Sequence, residues 1–183
     1  MKATVYTDGS SRGNPGKGGW AAIILTDEEV IELGGREDMT TNNRMELAGT
    51  IYGLRAIGVQ VLDVLHDDPH MQSLTKSHTV TSVEVCTDSE YVKKGMTEWI
   101  KGWVAKGWKT STKKDVLNKD LWEALLHEET RLKDSGVTVT WKYVRGHAGI
   151  PGNERADTIA TQCADNASHL QLYRGERSAY PYF

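Results

Sequence analysis

Cysteine is nearly absent from this 183-residue sequence, which holds only Cys86 and Cys163. Two cysteines cannot build a disulfide framework, and these two have no metal-binding spacing. Both are therefore expected as free, buried thiols in a reducing compartment. Long apolar runs are missing too. The longest, residues 20–25, falls far short of the roughly 20 residues that span a bilayer. Residues 1–7 lack the apolar core of a secretory signal, so the expected location is the cytoplasm. Neither sign of charge dominates, with a formal net charge of −3 and a pI near 6.1. The whole-chain balance gives no hint of a nucleic-acid partner, although the distribution of charge matters more than its sum. No internal repeat or low-complexity stretch is visible.

What is present reads as one globular domain with appendages, long enough to bury a sizeable core. Residues 2–7 alternate and are β-rich, which predicts a strand ending at Asp8. A glycine-rich loop follows, then a hairpin from strands 20–26 and 30–35 around Asp27-Glu28-Glu29. Asn42 or Asn43 is a natural helix N-cap, with Glu46 three residues after Asn43 as in a capping box. That helix runs to about Ile57. A second strand, 81–87, ends at Asp88. Helical segments 89–106 and 119–133, a strand 137–143, a loop 145–152 and a helix from near Asn153 to 167 complete the core. The order predicts an α/β sandwich with a sheet that is part antiparallel and part parallel. Residues 59–79 read as a helical extension followed by a loop. The tail, 168–183, has no periodicity and ends in Tyr180-Pro181-Tyr182-Phe183. It is either a partner site or a packed extension, and packing is favoured because exposed apolar patches are uncommon on monomers.

The acids carry the chemistry. Thr7-Asp8-Gly9-Ser10 and Thr87-Asp88-Ser89 each place an aspartate at the carboxyl end of a strand, where ligands collect in sheets with parallel strands. Either aspartate alone reads as a turn former or cap. The matched pair points instead to one crevice. Glu46 and Asp157 each fall near a helix start, where a carboxylate is ordinary, and taken singly neither is informative.

These segments, with Gly13-Asn14-Pro15-Gly16, Thr41-Asn42-Asn43-Arg44-Met45-Glu46-Leu47, Gly146-His147-Ala148-Gly149 and Asn153-Glu154-Arg155-Ala156-Asp157, resemble the ordered signature of type-one ribonuclease H. The likeness runs from about Thr4 to Ala160. It implies a ribonuclease H-like fold with a mixed five-stranded sheet and helices on both faces. The catalytic domain would span 1–167, with an insertion at about 59–79 and a basic protrusion at about 93–119. The implied activity is endonucleolytic hydrolysis of the RNA strand of RNA–DNA hybrids, leaving 5′-phosphate and 3′-hydroxyl ends. The implied cofactor is a pair of Mg²⁺ ions, replaceable by Mn²⁺, held by Asp8, Glu46, Asp88 and Asp157. Four acids in one cleft repel one another, so such a cluster makes physical sense mainly with cations in it. A module that only bound hybrids would need no such cluster. His147 resembles the family's mobile histidine, which assists proton transfer or product release.

The same resemblance implies substrate contacts. Gly9, Ser10, Ser11, Asn14, Thr41, Asn42, Asn43, Ser89 and Asn153 are small, hydroxyl- or amide-bearing groups beside the acids, suited to 2′-hydroxyls and base edges. Glu90 departs from the family pattern, where glutamine is common, and a carboxylate cannot donate to a base edge. Between residues 93 and 119, eight lysines stand against only Glu98 and Asp115, interleaved with Trp99, Trp103 and Trp108. Lys101, Lys106, Lys109 and Lys113, with Trp99 and Trp103, are read as a phosphate-binding protrusion. The bland alternative is a solvated lysine face over packed tryptophans. The expected partner is a hybrid duplex, the expected state a monomer, and no membrane contact is expected.

Overall fold

The computed structural model describes residues 1–57, 80–167 and 169–182. The expected insertion at 59–79 and Phe183 lie outside the described residues. The chain folds as β1 (Lys2–Gly13), β2 (Gly16–Leu25), β3 (Glu29–Thr40), α1 (Asn42–Ala56) and β4 (Ser82–Thr87). It continues through α2 (Glu90–Lys94), a π-helical turn (Gly95–Trp99), α3 (Ile100–Ala105), α4 (Lys119–Asp134), β5 (Thr138–Tyr143), α5 (Pro151–Ala164), β6 (Arg174–Glu176) and a short 3₁₀ turn.

Among the described residues the sheet has six strands in the order β5-β4-β1-β2-β3-β6. Its β1–β2, β2–β3 and β3–β6 pairs are antiparallel, whereas β1–β4 and β4–β5 are parallel. The mixed sheet and its covering helices follow the sequence expectation; the strand count corrects it from five to six. The extra strand comes from the tail, where three residues pair with the free edge of β3. So short a strand shows no alternation to read. With Tyr180 buried beside it, the tail is a packed extension.

Alternation along the strands divides the interior. Ala3, Val5, Ala22, Ile24, Val83 and Val85 face Leu47, Ile51 and Leu54 of α1 and Trp122, Leu125 and Leu132 of α4. On the other face, Ala21, Ile23, Leu25 and Val30 meet Ala156, Ile159 and Ala160 of α5 and Tyr180 of the tail. The small residues of α5 let it sit close to the sheet. A side chain at Gly19 would strike the Ala160 carbonyl, 2.2 Å from the Cβ position.

Three arginines tie α1 to α4. Arg44 forms a two-pronged pair with Asp120 at 2.8 and 3.1 Å. Arg131 donates to the Leu54 and Ile57 carbonyls, both at 3.0 Å, and satisfies the end of α1. Its other side meets Glu128, which also accepts from Arg55. These contacts fix the helix that carries Glu46.

The tryptophans of the basic segment pack inward. Trp103 lies 5.7 Å from Trp99, 6.5 Å from Trp108 and 5.3 Å from Trp122, centroid to centroid. Trp122 is fully buried, and its indole N–H donates to the Tyr91 hydroxyl at 3.1 Å. This aromatic cluster roots the protrusion in the main core. Trp122→Ala is accordingly expected to cost about 3–5 kcal/mol, as large buried truncations do. Leu117→Ala, at a side chain that is 74% exposed, should stay within about 0.5 kcal/mol. Urea unfolding midpoints of the two variants check this placement, which equal losses would contradict.

Candidate functional site

The parallel ladder between β1 and β4 ends at Thr7 opposite Thr87. The next residues are Asp8 and Asp88, so the register itself brings the two acids side by side. The sequence predicted that β1 stops at Asp8. It continues to Gly13, because β2 still pairs with it after β4 has ended. Asp8 therefore sits within a strand, held on a rigid element rather than on a loop.

Glu46 arrives from above. Thr41 is the N-cap of α1, accepting from the Arg44 N–H. That displaces Asn42 and Asn43 into the first turn and Glu46 beyond the capping-box position. Glu46 does not cap; it is buried and faces Asp8 and Asp88. The approach needs Gly9, since a Cβ there would lie 2.2 Å from the Glu46 nitrogen. One carboxylate oxygen from each of Asp8, Glu46 and Asp88 lies within 4.8 Å of the other two. Asp157 is outside this tight group. It is half-buried on α5, close enough to Asp8 for the two carboxyls to share a hydrogen bond when one is protonated. Pro151 at the first helical turn starts α5 two residues before the expected point, which puts Asp157 in its second turn.

Electrostatics follow from this crowding. Burial, then the charge of Asp88, pushes the Asp8 carboxyl up to about 8, against a partial offset from the Gly9 N–H that donates to it at 2.7 Å. Burial, then Asp8 and Asp88, holds Glu46 well above the usual carboxylate range. Among the described residues no lysine or arginine pairs with Asp8, Glu46, Asp88 or Asp157. The Glu46 Oε2 is buried with no hydrogen-bond partner. A cluster of hard oxygen donors, one of them buried and unsatisfied, suits a divalent cation such as Mg²⁺.

Amides orient the acids. Asn42 Nδ2 donates to Glu46 Oε1 at 3.4 Å, and the buried Asn153 donates to Asp88 Oδ2 at 3.0 Å. The sequence suggests Asn42 as a helix cap or substrate contact and Asn153 as a substrate contact; their contact with the acids has no sequence signal beyond proximity. Thr41 and Ser89 likewise serve as helix caps. Gly9 is buried, Ser10 and Ser11 are half-exposed on the rim of β1, and Asn14 and Asn43 are exposed.

His147 is exposed in the loop between β5 and α5, with a left-handed φ of 51°. Its neighbour Gly146 rests on the site, where a Cβ would meet Asp88 Oδ2 at 2.8 Å. In the protrusion, Lys101, Lys106, Lys109 and Lys113 are all exposed, and Lys109 pairs with Asp115. Trp99 and Trp103 are half-buried in the aromatic cluster. Glu90 pairs with Lys94 across one helical turn.

A family model described as RNase H matches residues 1–165. A protein called Ribonuclease H from Paramagnetospirillum magneticum is 48% identical over 158 residues, which are 86% of this chain and 86% of that protein. Another of that name, from Chromohalobacter salexigens, is 42% identical over 178 residues, 96% of this chain and 93% of that one. Among solved structures, LC9-RNase H1, described as a type 1 RNase H with the type 2 active-site motif, gives a TM-score of 0.68 at 30% identity. It covers 90% of this chain and 72% of that one. LC11-RNase H1, solved in complex with an RNA/DNA hybrid, shares the fold with a TM-score of 0.58 at 21% identity, covering 90% of this chain and 98% of that one.

The crowded acids make a prediction about the metal-free protein. An aspartate ionises near 3.9 in an unfolded chain, whereas folded Asp8 does so at about 8. The folded form thus holds the proton more tightly, and stability falls as pH rises through this window. Asp8→Asn should melt several degrees above wild type at pH 7–8 in chelator, with the gap closing towards pH 4. Thermal melts across pH 4–9 check this, and parallel curves would show that Asp8 is not under the strain described.

Proposed function

This chain belongs to the ribonuclease H family, whose reaction is cleavage of the RNA in RNA–DNA hybrids, and we propose that Asp8, Glu46, Asp88 and Asp157 hold two divalent metal ions for that hydrolysis. The observation that carries this reading is the packing of one oxygen each from Asp8, Glu46 and Asp88 within 4.8 Å of one another. Held by these acids, a pair of Mg²⁺ ions would supply charge stabilisation for displacement at phosphorus, with Mn²⁺ as an acceptable substitute. Products would carry 5′-phosphate and 3′-hydroxyl ends.

The protein's own groups do the positioning. The Gly9 N–H, Asn42 and Asn153 fix the carboxylates of Asp8, Glu46 and Asp88 by the hydrogen bonds given above. Each hydrogen bond restricts a carboxylate rotamer and so preorganises the site. His147, on a glycine-flanked loop against Asp88, serves proton transfer or product release, worth about 10²–10⁴-fold if it is acid–base help. Ser10, Ser11, Asn14 and Asn43, with Gly9, Thr41, Asn42, Ser89 and Asn153 behind them, line the face where 2′-hydroxyls are read. Lys101, Lys106, Lys109 and Lys113, flanked by Trp99 and Trp103, take phosphates of the DNA strand. Asp115 beside Lys109 makes that lysine the weakest of the four. We assign the chain to the cytoplasm as a monomer. Both cysteines are free, and no described helix is long and apolar enough to cross a membrane.

Asp88→Asn should abolish cleavage of an end-labelled hybrid in Mg²⁺ and leave hybrid binding in Ca²⁺ largely intact, because an amide is a poor ligand for a hard cation. Cleavage near the wild-type rate would remove Asp88 from the site, and RNA–RNA and DNA–DNA duplexes run alongside test the substrate class.

The lysines are tested by salt. Changing Lys101, Lys106, Lys109 and Lys113 together to Ala should flatten the slope of log affinity against log salt by about 3 units, since each phosphate contact contributes about 0.9. KM should rise while kcat changes little, as the contacts hold ground and transition states alike. An unaltered slope would leave the segment as a solvated face.

A further inference from the structure

Helix α5 carries two groups of the site, Asn153 and Asp157, one turn apart on the flank that faces Asp88 and Asp8. Residue 155 lies about 200° round the helix from residue 153, on the opposite flank. That flank is held by a second polar cluster, away from the acids. Arg155 donates to both oxygens of Glu32, at 2.7 and 2.8 Å, and to the Gln171 carbonyl at 3.2 Å. Its guanidinium lies over the Tyr182 ring at 4.3 Å. Glu32, whose side chain is fully buried, also accepts from the Tyr180 hydroxyl at 2.6 Å and the Tyr173 N–H at 2.8 Å. Glu32 belongs to β3, and Tyr173, Tyr180 and Tyr182 to the tail that β6 fastens to the same strand. The Tyr180 ring packs against Tyr173 and Tyr182 at 5.0 and 5.3 Å.

A buried ion pair is a poor source of net stability, because desolvating both charges offsets their attraction. Its geometry is where it differs from an apolar contact. Between the sheet and α5 the contacts are small or apolar, with Ala156, Ile159, Ala160 and Cys163 on the sheet and Gly152 against Tyr6, and these resist separation but only weakly resist rotation about the helix axis. A forked guanidinium–carboxylate pair sets both distance and angle. We propose that Glu32, Arg155 and Tyr180 are positioning residues. With the tail, they fix the rotation of α5, and so place Asp157 beside Asp8 and Asn153 beside Asp88. The tail is then part of how the acids are set to hold metal. A site of this kind needs its groups within about 0.5 Å of their working positions. This inference rests on the reading of the four acids as a metal site.

The test uses full-length Glu32→Gln, Arg155→Lys and Tyr180→Phe, with Leu132→Val as a core variant remote from α5. Mn²⁺ alone is titrated by calorimetry and by the shift in melting temperature, without hybrid. Hybrid kinetics are then run well below each melting temperature. The three brace variants should need about 3–10-fold more Mn²⁺, within or just below the range for groups that orient metal ligands. Their kcat should drop similarly, and KM for the hybrid should stay within about two-fold, since substrate contacts are untouched. Arg155→Lys separates geometry from charge, because it keeps the cation and loses the fork. Leu132→Val should lose stability with no change in metal uptake. Brace variants that are less stable yet match wild type in Mn²⁺ titration and kcat would overturn the proposal. If Glu32→Gln does not fold, Tyr180→Phe decides alone, since it removes one hydroxyl and keeps the ion pair. A wild-type chain that takes up no Mn²⁺ would instead sink the metal reading of the acids.

Discussion

Four carboxylates held at the end of one parallel ladder repel one another, and most of the structure around them serves to hold them there. Two are pinned by register alone, because β1 and β4 run in parallel to Thr7 and Thr87 and stop together. Glu46 is forced in by α1, which three arginines tie to α4 and which closes on β1 at a glycine. Asp157 is brought by α5. The raised carboxyls of Asp8 and Glu46 are the electrostatic trace of this arrangement. A protein under no demand to bind cations would relieve it with one lysine or one less acid. Here the burden falls on the two apolar cores, which contribute the stability that the acids take away.

The distance from sequence to site was short for some residues and long for others. Asp8 and Asp88 could be placed from the repeated Thr-Asp after a β-rich stretch, because strand polarity dictates where a following side chain goes. Glu46 could not be placed by local rules. Asn42, Asn43 and Glu46 look like a capping box, and only the tertiary pairing shows Thr41 as the cap and the glutamate turned into the cleft. The glycines from 13 to 19 read as a loop, yet Gly18 and Gly19 are strand residues. They are glycines because Met45 and the Ala160 carbonyl press against them. Composition alone cannot separate glycine that bends from glycine that makes room. The sixth strand was illegible for a different reason, since three residues on a sheet edge carry no period.

The protrusion combines packed tryptophans with surface lysines. Its tryptophans form a stack that reaches from Trp108 and Trp99 through Trp103 to Trp122, as a packing role requires. Lys101, Lys106, Lys109, Lys113 and Lys114 are nonetheless exposed, Lys109 in a surface pair with Asp115. Aromatic packing is what permits a charged segment to stand as folded structure at all. Eight lysines in 27 residues would otherwise favour an extended, solvated chain.

The two flanks of α5 show how precision is divided in this fold. On one side the helix presents Asn153 and Asp157 to acids that repel, an interaction that tends to push the helix away whenever no cation intervenes. On the other side an oppositely charged pair, buried and forked, pulls it towards β3. Apolar contact beneath the helix sets its height but not its rotation. Holding α5 in place without metal therefore requires a directional restraint on the flank away from the acids. In this chain β3 supplies the carboxylate and the C-terminal tail supplies the hydroxyl, the backbone N–H and the aromatic ring that complete it. That division explains why a tail lacking periodicity or a motif of its own buries Tyr180 against β3. Its partners lie on the helix that faces the site rather than in a separate domain.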